Sequence, residues 1–179
     1  MRVAPRHRLT VAAAASVAVV LAVLAVVLLT GGGSPTPTTT APPFATATPS
    51  ADAGATPEGA VRAFFDAYAK ARQINDPVPL APLVTGPTSS AYLSAAGFLR
   101  GQKESGRASV TTVLRLDNLT TTINGAAAVV AFDYTEGGYD INPGSGSALE
   151  SPVVLPVRRV TVSLRQVAGR WLVDEYQSQ

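Results

Sequence analysis

Hydrophobic positions along this 179-residue chain fall into three regimes, and each predicts a different kind of element. Leu9 to Thr30 is a continuous apolar run without a charge. At about 1.5 Å per residue it makes roughly 30 Å of helix, the thickness of a bilayer's hydrocarbon core. From Thr56 the apolar residues take helical spacing: Val61, Phe64, Phe65 and Tyr68 recur at i, i+3, i+4 and i+7. Thr56 suits the cap, Pro57 the first helical position and Glu58 the positive helix end, and Asp76-Pro77 closes the helix. A short proline-edged turn follows at Pro79 to Val84. Thr88 or Ser89 then caps a helix running to Ser105, with Tyr92, Ala95, Ala96 and Leu99 on one face and Gly106 as its stop.

After Gly106 the period changes from 3.6 to 2. Ser109 to Leu116 and Leu119 to Ile123 read as strand around a bulge at Asp117-Asn118. Asn124-Gly125 is a hairpin signal leading into Ala126 to Thr135. Glu136 to Pro152 reads as a Gly/Pro/Ser-rich loop, Val153 to Val167 as one long strand, and Ala168-Gly169 as a turn into Arg170 to Tyr176. Helices followed by a meander of antiparallel strands predict an α+β fold, with the helices on one face of a curved sheet.

Between the apolar run and the first helix lies Gly31 to Ala55, built from Gly, Ser, Pro, Thr and Ala apart from Phe44 and Asp52. It offers too little apolar surface to offset ordering entropy and reads as a disordered linker of up to about 75 Å. Its composition is also that of O-glycosylated stalks, against the plainer reading of a bare spacer. The predicted organisation is therefore a stub at residues 1–8, a transmembrane helix at 9–30, the linker at 31–55 and one domain at 56–179.

Charge then orients the chain. Arg2, Arg6 and Arg8 precede the apolar run, and the residues just after it are uncharged, which places the N-terminus inside and the domain outside the plasma membrane. The run is longer than the ~7–15 residues of a signal-peptide core and lacks a good cleavage site close behind it. An uncleaved single-pass anchor is the expectation, and secretion after signal cleavage is the alternative. The formal charge of +2 owes three of its cations to the stub; eleven Lys/Arg face twelve Asp/Glu from residue 9 onward. No basic stripe remains, which excludes nucleic acid as a partner.

The absence of cysteine removes disulfides, so stability rests on burial. It also removes thiol chemistry. The single histidine, His7, belongs to the stub, so Ser/His/Asp and Cys/His schemes and His- or Cys-based metal sites are excluded from the domain. Asp140-x-Asn142-x-Gly144 has the alternation of a calcium loop. However, Pro143 interrupts it, and Ser145 and Ser151 stand where glycine and glutamate are needed. Asn118-Leu119-Thr120 has the form of a glycosylation sequon but falls within strand-like sequence. Arg158 and Arg159 point to opposite strand faces, one of them a solvated charge. No cofactor or metal is expected.

The order helix, short helix, helix, strands resembles the nuclear-transport-factor-2-like superfamily. So do the opening TPEGAVRAFFDAYAKA and the ending RVTVSLRQVAGRWLVDEY. The resemblance is closest to extracytoplasmic actinobacterial members on a membrane or lipid anchor, and it covers nearly all of Thr56 to Tyr176. It implies a cone-shaped, cystatin-like α+β domain whose concave face encloses a pocket in some members. The superfamily hosts isomerases, cyclases, hydrolases and interaction modules, so the fold does not give the function.

An enzyme on this fold needs an acid or base in an apolar cone opposite a donor. Asp133 is the candidate base, with Tyr134, Tyr68 or Trp171 as wall or donor. The competing readings make Asp133 a solvated carboxylate or the partner of an arginine across the sheet, and Trp171 a core residue. No catalytic motif of the superfamily is present to carry over. The expectation is a membrane-anchored, non-catalytic interaction module of the cell envelope. The alternative is a small-molecule-binding or acid–base domain using the cone.

Overall fold

The computed structural model describes residues 53–179. The predicted stub, the Leu9–Thr30 anchor and nearly all of the linker lie outside the described residues. Among those described, no helix is long and apolar enough to cross a membrane.

Helix α1 spans Pro57–Ile74 and starts as its sequence predicts: Thr56 is extended, and its hydroxyl accepts from the Gly59 N–H at 3.1 Å. Burial of Val61, Phe64 and Phe65 fixes its inner face, each such side chain contributing about 1.5–3 kcal/mol. Asn75, in the left-handed region at φ 54°, ends the helix by donating its N–H to the Ala71 carbonyl. A 3-10 helix, Val78–Leu83, buries Leu80 and Leu83. Helix α2, Ser90–Glu104, is capped by Ser89, whose Oγ accepts from the Tyr92 N–H. Its buried stripe is Ala91, Ala95, Leu99 and Gln102; Tyr92 and Ala96, expected on that face, are only half-buried.

The sheet contains β1 (Ala108–Asn124), β2 (Ala127–Ile141), β3 (Val153–Val154), β4 (Arg158–Val167) and β5 (Arg170–Ser178). All neighbours are antiparallel in the order β1-β2-β4-β5, and β3 pairs with β2 beyond the end of β4. The bulge falls where the sequence predicts. The β1–β2 register shifts between Asp117 and Thr120, with Asn118 at φ 53°. The first hairpin turns at Gly125 with φ 59°, a conformation that favours glycine.

Two strand boundaries differ from the sequence reading by more than two residues. β2 does not stop at Thr135 but runs to Ile141, so the loop begins at Asn142. Glu136 to Gly138 continue the strand because glycine permits a close approach: a Cβ on Gly138 would fall 2.0 Å from the Val110 carbonyl oxygen. The long strand Val153–Val167 is broken between β3 and β4, where Pro156 has no N–H to give to a ladder.

Both helices pack on one face of this curved sheet. The core between the layers joins Phe64, Phe65 and Leu99 to Val130, Phe132, Val162, Leu164 and Val173.

Candidate functional site

The face of the sheet beneath the helices is filled by aromatic rings. Phe65 meets Phe132 edge-on at 5.4 Å and Tyr134 at 5.1 Å, while Phe64 lies 5.7 Å from Tyr176. Tyr68, one turn further along α1, lies 6.4 Å from Tyr176 and 6.2 Å from Phe98. These rings are core before they are anything else.

Where the aromatic layer ends, a polar cluster begins. Alternation along β2 carries Phe132, Tyr134 and Glu136 on one face. The Glu136 carboxylate accepts three bonds: Tyr134 Oη donates to Oε2 at 2.6 Å, Arg72 Nη1 to Oε2 at 2.9 Å and Arg158 Nη2 to Oε1 at 3.0 Å. Arg72 reaches it from the last turn of α1, with its guanidinium 5.4 Å from the Phe98 ring centre and 6.0 Å from that of Tyr68. Arg158 lies 5.5 Å from the ring of Tyr134. Burial raises the hydroxyl pKa of Tyr68 and of Tyr134 far above the ordinary phenol value, and donation to Glu136 raises Tyr134 further. Both hydroxyls therefore stay protonated at neutral pH, as donors rather than bases.

A second polar chain lies alongside. Gln102 Nε2 donates to the Arg72 carbonyl at 3.1 Å and to Ser109 Oγ at 3.0 Å, and Ser109 Oγ donates to Asp140 Oδ1 at 2.7 Å. Arg107 stands 3.5 Å from the same carboxylate. The cavity here, lined by Arg72, Ser109, Glu136 and Asp140 with Val153 and Leu155 above them, measures about 120 Å³. Pockets for small organic ligands are roughly 300–1,000 Å³. Among the described residues, no group of three or more acidic, His or Cys side chains converges to hold a metal ion.

Of the four residues singled out from sequence, the structure brings two together. Tyr68 and Tyr134 both belong to the aromatic layer around Phe64 and Phe65. Asp133 points from the opposite face of β2. Its Oδ1 accepts from Arg159 Nη1 at 2.9 Å and its Oδ2 from Asn118 Nδ2 at 2.7 Å. Those two bonds, Asn118's first, hold its pKa below the ordinary carboxylate range. Trp171 is buried at the hairpin end of the sheet, where its backbone N–H donates to the Gly54 carbonyl. Asp133 therefore has no tyrosine opposite it. The sequence reading missed Arg72, Glu136, Arg158 and Gln102 as site residues, although continued period-2 alternation through Glu136 and i+4 spacing from Tyr68 to Arg72 both point to the cluster.

No protein-family model matches the chain, and no curated protein matches it. Solved structures do share its arrangement. The intermembrane-space region of the chloroplast protein ARC6 is 14% identical with a TM-score of 0.51, over 68% of this chain and 92% of that one. A nuclear-transport-factor-2-like superfamily protein from Salmonella enterica is 14% identical with a TM-score of 0.43, over 64% and 84%. A ketosteroid isomerase-like protein from Erwinia carotovora atroseptica is 17% identical with a TM-score of 0.46, over 70% and 94%. Two helices and a 3-10 turn laid on one face of a curved antiparallel meander give this chain an α+β fold, consistent with the nuclear-transport-factor-2-like one.

Proposed function

We propose that the chain is a membrane-anchored, extracytoplasmic binding domain without catalysis of its own, a protein-interaction module of the cell envelope. One observation carries this reading most strongly. Glu136, the carboxylate at the end of the aromatic layer, is neutralised by Arg72 and Arg158 and hydrogen-bonded by Tyr134. A general base must reach the proton it abstracts, and three donors already take most of this carboxylate's acceptor sites. The small size of the adjacent cavity points the same way. The name of one structural neighbour refers to an isomerase and that of another to a chloroplast protein region, so fold alone does not choose between the readings.

The anchor rests on the sequence: an uncharged apolar run of membrane-spanning length follows three arginines. The chain's lack of cysteine gives a direct test of topology. A single cysteine introduced at Ser178 of the full chain should react with a membrane-impermeant maleimide in intact cells, and the protein should resist alkaline extraction from membranes. A residue that is shielded until lysis overturns the outward placement.

Interaction is tested by placing a photo-crosslinking residue in turn at exposed Leu93, Val129 and Val153 of the full chain in its native envelope. Crosslinks to one protein from one face are expected. Absence of crosslinks at all three, together with a soluble small molecule that raises the thermal midpoint, favours the small-molecule reading instead.

A further inference from the structure

Every residue from Asn142 to Arg158 is exposed, a run unlike any other in the described chain. The segment is nonetheless paired. Leu149 N–H donates to the Asp140 carbonyl at 2.8 Å, Leu155 N–H donates to the Glu136 carbonyl at 2.9 Å, and β3 lies against Gly137 and Gly138. Its valines are more than half exposed: Val153, Val154 and Val157 at 57%, 58% and 62%. Pro152 and Pro156 cannot donate to a ladder. The strand beneath offers no side chain to grip, since Gly137 and Gly138 are bare backbone. A Cβ on Gly137 would stand 2.9 Å from the Val153 carbonyl oxygen.

Exposed backbone bonds with little buried apolar area mark the parts of a fold that open first. Both ends of the segment are fixed, one to Ile141 at the end of β2 and the other to Arg158 at the start of β4. Beneath it lies the 120 Å³ cavity, with Val153 and Leu155 in its wall.

We infer that residues 142–157 form a strap that opens as one unit while the sheet stays folded. Opening uncovers Arg72, Ser109, Glu136 and Asp140 and frees the β2 edge at Glu136 to Gly138. In the closed state the strap already occupies it.

Native-state hydrogen exchange on the full chain in detergent micelles, read at Leu149, Leu155 and Val162, tests this. Leu149 and Leu155 should exchange at matched protection, at least ~100-fold faster than Val162, and with little dependence on sub-denaturing urea. Exchange of the strap together with Val162, at one rate and one urea slope, overturns the inference. So does the absence of any protection in the strap, or unequal protection at Leu149 and Leu155. Leu155→Pro, which removes one donor, should lower protection at Leu149 by ~10-fold or more while leaving Val162 and the unfolding midpoint unchanged. A fall in both would mean that the segment belongs to the cooperative core.

Discussion

Arg72 Nη1 and Glu136 Oε2 meet at 2.9 Å across sixty-four residues of sequence and join the last turn of α1 to the middle of the longest strand pairing. Both side chains are largely withdrawn from water, with exposures of 19% and 14%. Arg72 Nε is buried without a hydrogen-bond partner, which leaves its charge dependent on the carboxylate. Glu136 in turn holds Arg158 and Tyr134. One carboxylate thus ties α1, β2 and β4 together.

Replacing it should therefore cost more than an ordinary surface ion pair. Glu136→Gln leaves two guanidinium groups uncompensated and weakens the acceptor for Tyr134, and a destabilisation of about 1–3 kcal/mol is expected in urea unfolding. Arg72→Met should cost less, since its long apolar replacement still packs on Phe98 and Tyr68. The double variant should recover part of the loss, giving a coupling above about 0.5 kcal/mol. Strict additivity of the two losses would mean that the pair is not coupled.

The helices were legible because their ends are written in side chains: Thr56, Pro57 and Ser89 act where the residues themselves satisfy orphan donors. The bulge at Asn118 and the hairpin at Gly125 were legible for the same local reason. The polar cluster was not, because of one boundary. Gly137-Gly138 reads as loop, and ending β2 before it removes Glu136 from the face that carries Phe132 and Tyr134. What extends the strand is tertiary: bare glycine backbone against Val110 on one side and Val153 on the other. Asp133 drew notice as a carboxylate among apolar residues, yet period 2 already set it apart from Phe132 and Tyr134. Which of the two faces the helices would cover was not written in the strand alone.

That alternation makes neighbouring substitutions behave oppositely. Phe132 is fully buried against Phe65, and Phe132→Ala should cost about 3–5 kcal/mol through lost burial and an unfilled cavity. Asp133→Asn, one residue on, changes a solvent-facing group bonded to Asn118 and Arg159. It loses only an exposed ion pair and should lower the unfolding midpoint far less than Phe132→Ala does. Comparable losses from both would contradict the assignment of Asp133 to the outer face.

Thr85 and Asp174 set an acid dependence. Thr85 Oγ1 donates to Asp174 Oδ1 at 2.6 Å where the chain leaves the 3-10 helix to bridge β5 at Val173, and Arg165 donates to the other oxygen. These bonds, Thr85's first, lower the Asp174 pKa in the folded protein. A lowered folded pKa means that the unfolded chain binds more protons. The stabilisation is therefore complete above about pH 4, near the unfolded carboxyl value, and is lost as pH falls through the folded one. Thr85→Val should be less stable than the parent at pH 7, with the gap narrowing towards pH 2. A gap independent of pH would assign the loss to the hydroxyl alone.

Two glycines in regular elements should respond to alanine with opposite signs. Gly97 lies inside α2, and a Cβ there meets nothing within 4 Å. Gly97→Ala removes backbone freedom from the unfolded chain and should stabilise by about 0.5–1 kcal/mol. Gly138 sits in β2 opposite Thr111, and a Cβ there would overlap the Val110 carbonyl oxygen at 2.0 Å. That oxygen belongs to backbone paired in the β1–β2 ladder, so it cannot turn aside as a side chain would. Relief requires the two strands to part at this point, next to the Glu136 cluster and the strap. Gly138→Ala should cost at least about 1–3 kcal/mol, and the hydrogen-exchange protection of Leu155 should fall with it. A neutral Gly138→Ala would show that the strands are not in close contact there, and with it would go the reason β2 continues past Thr135.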